Sequence, residues 1–151
     1  MPLTIAHAGP ALLFGLLLFS SPAAIFTIVV SSMMIDLEPL FSFILGIDYP
    51  YHGFLHSFLG AAVVSLIVSS AVLMFFKNEK KIRIVSAAVF GTLLHVLPDS
   101  LINTDVEPFF PLEMNPFYLG YKFEIFVYMF CAASFILAAY LLITRRYRVI
   151  K

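Results

Sequence analysis

Three long apolar segments constrain this chain more than any other feature of its sequence. A bilayer-spanning α-helix needs about 20 predominantly apolar residues, and residues 52–76, 82–101 and 123–144 each provide such a stretch. The apolar fraction is 62 % and the charged fraction is 12 %, against about 45–50 % and about 25 % in soluble domains. A chain of 151 residues cannot hide that much apolar surface in a single core, so lipid must cover part of it. We therefore predict one all-α integral membrane domain over residues 1–151, folded as a polytopic helical bundle.

The first 35 residues contain two shorter apolar pieces, 3–19 and 23–35. Each would be about 20–25 Å long as a helix, and a Ser-Ser-Pro turn separates them, with Pro22 suited to the first turn of a new helix. Two alternatives stay open: a pair of thin spans, or a re-entrant helical hairpin. In both alternatives, Asp36 lies at the same membrane face as His7. Because these 35 residues contain no Lys or Arg, we do not expect a cleaved signal peptide.

The charges predict an orientation in the membrane. Eight of the nine Lys and Arg residues form two clusters, at 77–83 and 145–151, which fall on the same side of the three-span core. By the positive-inside rule that side is cytoplasmic, and all the acids except Glu79 fall on the other side. We expect a multi-pass protein of the cell (inner) membrane, with its N-terminus outside and its C-terminus in the cytoplasm.

The same features predict the partners of the chain. The net charge is zero, which argues against nucleic acid, so the expected partner is membrane lipid. Small residues in the first long segment, such as Gly60 and Ala61, allow close helix packing, including packing between copies in a homo-oligomer.

Two connections are predicted on the outer side. Residues 40–47 are apolar but too short to span, which favours a short helix at the interface. Residues 103–121 contain Pro108, Pro111 and Pro116 and follow Pro98. Proline cannot continue a helix without losing a backbone hydrogen bond, so we expect an ordered irregular loop there.

All four histidines fall at the outer side in this topology, together with several acids. His52 and His56 are four residues apart, as are His95 and Asp99, a spacing that puts both side chains on one face of a helix, with Cβ atoms about 5–6 Å apart. Imidazole and carboxylate groups are the ligands of zinc, manganese and iron sites. The alternative is a polar network without a metal. The further acids Asp105, Glu107 and Glu113 are expected to be solvated, with Asp105 and Glu107 left as open candidates for the site.

The motifs around these residues resemble a known family, the YdjM-like membrane-bound metal-dependent hydrolases. The matching pieces are residues 1–7, 34–39, 52–57 and 95–100, followed by Asp105 and Asn115-Pro116-Phe117. The resemblance implies that the metal ligands or their neighbours are His7, Asp36, His52, His56, His95 and Asp99.

The predicted function is a metal-dependent hydrolase at the outer interface, acting on a phosphoester such as a lipid headgroup. Zn²⁺ is the favoured ion, with Mn²⁺ or Fe²⁺ as alternatives, and Asp36 or Glu38 would be a further ligand or the general base. No Gly-x-Ser-x-Gly element is present, which disfavours a serine nucleophile. The alternatives are a non-enzymatic metal-binding or transport protein and a structural membrane protein. Residues 57–76 and 125–144 contain no charged residue and no His, which argues against an ion path.

Overall fold

The computed structural model describes residues 4–46 and 52–149, with side chains described over 6–46 and 52–144. Residues 47–51 of the predicted outer connection and the side chains of the basic cluster at 145–151 lie outside this description. Over the described residues the chain is helical and contains no strand, which confirms the predicted fold class. The α-helices are α1 (Thr4–Leu18), α2 (Pro22–Met34), α3 (Leu37–Leu45), α4 (Phe58–Phe75), α5 (Lys81–Ile102) and α6 (Glu124–Val149).

Within the described ranges, three segments are long and apolar enough to cross a membrane, as the sequence predicts: α4, α5 and residues Tyr121–Thr144, which include most of α6. The start of the first span differs from the prediction. Residues 52–57 form a bend and a 3-10 turn, and α4 begins only after Ser57, whose hydroxyl accepts a hydrogen bond from the Gly60 N–H at 3.0 Å. Serine favours this N-cap position because its side chain satisfies a free backbone donor of the first turn.

The N-terminal pair, α1 and α2, reaches the end of the bundle opposite the histidines. Ser21 caps α2, and its hydroxyl also donates a hydrogen bond to the carboxylate of Glu79. Glu79 in turn accepts from Arg83 at 3.1 Å. The turn between α1 and α2 therefore lies beside the turn between α4 and α5, at what we call the basic end (Ser21, Glu79, Arg83). This placement favours two thin spans over a re-entrant hairpin.

Small residues bring the helices into close contact. A Cβ atom at Gly91 of α5 would lie 2.3 Å from the carbonyl oxygen of Ile28 on α2, so only glycine permits this approach. In the same way, Gly9 of α1 lies against the Cys131 backbone of α6. Close helix contacts through small residues are typical of membrane bundles, and they hold α2 in a fixed register on α5.

The second predicted connection and the described part of the first are ordered. The short helix expected at 40–47 is α3, which continues from α2 with a bend of 45° and ends at Gly46 with a φ of 63°. The loop at 103–121 is irregular apart from the short turn Tyr121–Phe123, and its Asn115 amide donates to the carbonyl oxygens of Ser100 and Asn103 at 2.8 and 3.1 Å. Pro98 does not end α5, which runs on to Ile102.

Candidate metal centre

Separate elements deliver the predicted site residues to one end of the bundle, which we call the site end (His7, Asp36, His56, His95, Asp99). His7 lies in the first turns of α1, and Asp36 occupies the bend between α2 and α3. His56 ends the 3-10 turn before α4, and the other two residues lie near the end of α5. α1 begins at this end, whereas α2 and α5 both run toward it and end there, and this arrangement brings the elements together.

These five side chains form one continuous cluster. The His95 Nε2 atom lies 3.3 Å from Asp36 Oδ1 and 3.3 Å from Asp99 Oδ2. The His56 Nε2 atom lies 3.4 Å from Asp36 Oδ1 and 3.8 Å from Asp99 Oδ2. His7 Nε2 faces the other oxygen of Asp99 at 3.3 Å. Both carboxylates therefore face more than one imidazole.

The separations fit the ligands of a metal ion. An N–H···O hydrogen bond normally spans about 2.7–3.2 Å, which is shorter than most contacts in this cluster. Two ligands held about 2.0–2.1 Å from a tetrahedral Zn²⁺ lie about 3.3–3.4 Å apart. In the part of the chain that the structure describes, three overlapping groups have ligand atoms within 4.8 Å of one another: His7, His95 and Asp99; Asp36, His56 and His95; and His52, His56 and Asp99.

Burial and charge also fit a divalent cation. His56 and His95 are fully buried, and neither ring nitrogen of either residue makes a hydrogen bond to any described residue. Such a buried polar atom costs about 1–3 kcal/mol if it stays unsatisfied. With neutral imidazoles, the carboxylates of Asp36, Glu38 and Asp99 would also gather three negative charges in this largely apolar end. A divalent ion ligated by these atoms would remove both costs.

The protonation of His56 depends on the same neighbours. Burial by itself lowers the pKa of this imidazole, but the nearby carboxylates of Asp36 and Glu38 outweigh that effect, and the pKa lies above the usual 6.5. A metal ion bound at His56 would therefore have to displace a proton over part of the neutral pH range.

His52 differs from its prediction. The pair His52 and His56 does not share a helix face, because residues 52–57 are not part of α4. The two rings still meet edge to face, with centroids 4.8 Å apart. His52 Nδ1 instead pairs with Asp105 Oδ2 at 2.8 Å. Asp105, which was expected to be solvated, is half exposed and also hydrogen-bonded to His52.

Glu38 lies at the edge of the cluster. Its Oε2 atom accepts a hydrogen bond from the Leu55 N–H at 2.9 Å and lies 3.8 Å from His56 Nδ1. Glu38 thus holds the turn that carries His56. Among the described residues, Glu107 and Glu113 belong to none of the three candidate metal groups.

Two contacts of the site escape sequence reasoning. The pairing of His52 with Asp105 joins residues 53 positions apart, and no motif links them. The position of the His56 turn depends on Gly60, where a Cβ would lie 2.2 Å from the carbonyl oxygen of Phe54. A glycine four residues after His56 is the one sequence signal that could have indicated this close packing.

The fold and the cluster define a class of protein: an all-helical, multi-pass integral membrane protein with a His/carboxylate cluster that could hold a metal ion at one end of the bundle. A family model described as YdjM inner membrane protein matches residues 1–150. The chain therefore belongs to this family and is an inner membrane protein, which confirms the resemblance found in its motifs. Comparison with curated proteins and with solved structures gives no significant match. Which end faces the cytoplasm stays a prediction from the basic clusters.

Proposed function

We propose that the protein is a metal-dependent hydrolase embedded in the membrane, acting on a phosphoester such as a lipid headgroup at the non-cytoplasmic interface. The observation that carries the proposal is the buried cluster of His7, Asp36, His56, His95 and Asp99, whose separations fit metal ligands. Buried ionisable residues in membrane proteins are costly and are therefore candidates for function.

The roles of the residues follow from their positions. His95 belongs to two of the three candidate groups, as do His56 and Asp99, so these three are the proposed central ligands. The two oxygens of Asp99 face different imidazoles, which suits it to join neighbouring donor groups if two ions bind. When bound, a divalent ion such as Zn²⁺ supplies Lewis-acid polarisation of the phosphoester and a water of lowered pKa.

The two acids at the start of α3, Asp36 at its N-cap and Glu38 in its first turn, would divide the remaining tasks. Asp36 faces both His56 and His95 and is proposed as a further ligand. Glu38 is farther from the imidazoles and lines a cavity that opens at the surface. We assign it the role of general base, the group that takes the proton of the attacking water.

The substrate class follows from the place of the site. The cluster lies at one end of the bundle, where we expect the spans to leave the hydrocarbon and the phosphates of lipid headgroups to lie. The cysteine of the chain, Cys131, is buried in an apolar cluster on α6, so a thiol nucleophile does not fit. A phosphoester attacked by water fits the donor set.

The test is the variant His95→Ala in purified protein. We expect metal content to fall to background, and phosphatase or phosphodiesterase activity to fall by at least about 100-fold, since even loss of an outer hydrogen-bond partner costs about 10–100-fold. Val89→Ala, an exposed position on the same helix, is the matched control and should behave as the unchanged protein. Full activity in a metal-free preparation would refute the hydrolase.

The same measurements separate the alternatives. A non-enzymatic metal-binding protein would lose metal in His95→Ala but show no hydrolysis in either form. A structural protein with a metal-free polar network would contain no stoichiometric metal by elemental analysis.

A further inference from the structure

An apolar groove runs along the lipid-facing side of α4 and begins next to the candidate metal centre. Its upper part, by which we mean the part nearest the site end, is a cavity of about 440 Å³ between α3 and α4. It is lined by Phe41 and Leu45 on one side and by Val63 and Ile67 on the other. This volume lies within the roughly 300–1,000 Å³ of ligand pockets. The upper part is therefore large enough for part of an extended small molecule.

The groove continues toward the basic end. A second cavity of about 530 Å³ lies between α2 and α4 and ends at Phe75 and Phe76. The two cavities share Met34 and Ile67, and together we call them the lateral groove. From Val63 to Phe75 the groove extends about 18 Å along α4, at about 1.5 Å per residue. That is a little more than half of the roughly 30 Å hydrocarbon core, the depth of one leaflet.

The lateral groove is apolar along its length and polar at one end. Its upper cavity has two polar side chains in its lining, Ser42 and Glu38. The Ser42 hydroxyl already donates to the Glu38 backbone carbonyl at 2.9 Å. The carboxylate of Glu38 lies 3.8 Å from His56 Nδ1, so the groove leads directly to the candidate metal centre.

A second contact joins the groove to the centre. Leu55 lines the groove, its N–H donates to Glu38, and the next residue is His56. An apolar wall and a metal-site residue are thus adjacent on one turn. A ligand that fits both features has an apolar chain and a phosphate group at its end.

We propose that the lateral groove binds an acyl chain of a membrane phospholipid and so presents its phosphoester to the candidate metal centre from within the bilayer. This inference rests on the proposed function, and it assigns the substrate to acyl-bearing phosphoesters rather than water-soluble ones. Glu38 and Leu55 form the boundary at which the chain ends and the headgroup begins.

Photo-crosslinking tests the groove directly. The probe is a phosphatidic acid with a diazirine in its acyl chain, added to the Zn²⁺-loaded protein in nanodiscs, with crosslinked peptides identified by mass spectrometry. We expect crosslinks on α3 and α4 that fall at least about tenfold with excess unlabelled phosphatidic acid or after EDTA treatment. Diacylglycerol, which has the chains but no phosphate, should compete poorly. Labelling that diacylglycerol removes equally, or that EDTA leaves unchanged, would mean ordinary boundary lipid and would overturn the proposal.

Filling the groove gives a second readout. Val63→Trp and Ile67→Trp each place a large side chain in the groove, and both should abolish the specific crosslinks while metal content stays unchanged. Leu66→Trp is the matched control, because Leu66 is exposed on the same helix and lines neither cavity. Specific crosslinks that survive in both groove variants would contradict the proposal.

Hydrolysis of a chain-free ester separates this inference from the proposed function. Bis(p-nitrophenyl) phosphate needs no acyl groove, so Val63→Trp should hydrolyse it normally and lose activity only on the long-chain lipid. If the unchanged protein cleaves the chain-free ester but shows no specific crosslinks, the groove proposal alone is wrong. If the metal-loaded protein cleaves neither ester, the proposed hydrolase is wrong, whatever the crosslinks show.

Discussion

The inner cluster of the site and the histidine at its rim contain the same residue types in different environments. In the inner cluster, buried imidazoles lie 3.3–3.4 Å from carboxylates that they share. At the rim, His52 makes an ordinary contact of 2.8 Å with Asp105, whose side chain is half exposed. The rim pair forms a hydrogen bond in which Asp105 is half exposed and His52 is buried, whereas the inner cluster leaves ring nitrogens without a hydrogen bond to any described residue. Ring nitrogens without a hydrogen bond and gathered carboxylates, more than residue type, distinguish the candidate metal centre from an ordinary polar contact.

The largest expected effect is the loss of Zn²⁺ affinity when a carboxylate of the inner cluster is replaced by an amide. Asp36→Asn keeps the shape of the side chain but removes the charge that faces His56 and His95. We expect Zn²⁺ affinity to fall more than about 100-fold, beyond the 10–100-fold typical of an outer partner. Competition with a chelator of known affinity measures the change. An unaltered affinity would exclude Asp36 from the centre.

The second-largest expected effect is a loss of Zn²⁺ affinity at the inner cluster as the pH falls. Because the pKa of His56 is raised above 6.5 by neighbouring carboxylates, the metal-free imidazole holds a proton that ligation must release. Zn²⁺ affinity should therefore rise with pH, by up to about tenfold per unit while one proton is released, and level off above that pKa. Chelator competition over a pH series, corrected for protonation of the chelator, gives the slope. In Asp36→Asn the levelling should move to lower pH, and a flat profile in the unchanged protein would show that His56 is not a ligand.

The smallest expected effect on Zn²⁺ affinity comes from a substitution in the rim pair of His52 and Asp105. Asp105→Asn keeps an oxygen that can accept from His52, in a position where solvent already competes. We expect less than about a tenfold loss of Zn²⁺ affinity, below the usual range for outer partners. Glu113→Gln, an exposed acid in the same loop, is the control. A loss as large as that of Asp36→Asn would place the rim pair inside the centre and remove the distinction drawn between the two regions.

The two pairs with four-residue spacing show how far sequence reasoning reaches. His95 and Asp99 lie on a continuous helix, so the spacing correctly predicts that they share a helix face, and His95 Nε2 lies 3.3 Å from Asp99 Oδ2. His52 and His56 have the same spacing but lie on a bend and a 3-10 turn, so the predicted helix face is wrong. The spacing of two residues indicates that they share a face only where the chain is known to be helical. Hydropathy suggests a helix from residue 52, but the Ser57 cap and the close contact at Gly60 start α4 at Phe58.

The N-terminal helices show the same limit. From their length alone, α1 and α2 could form either two thin spans or a re-entrant hairpin. The contact of Ser21 with Glu79, which joins distant turns and has no local signal, places their turn at the basic end.

By itself the sequence determined the membrane class, the three long spans and the gathering of all four histidines toward one side, because hydropathy and charge act on whole segments regardless of their neighbours. Tertiary structure alone decided which carboxylate faces which imidazole, that Asp105 engages His52, and that a groove leads from Glu38 along α4. These depend on helix rotation and close packing at Gly91 and Gly60, where distances of a few tenths of an ångström separate a ligand set from a loose polar cluster.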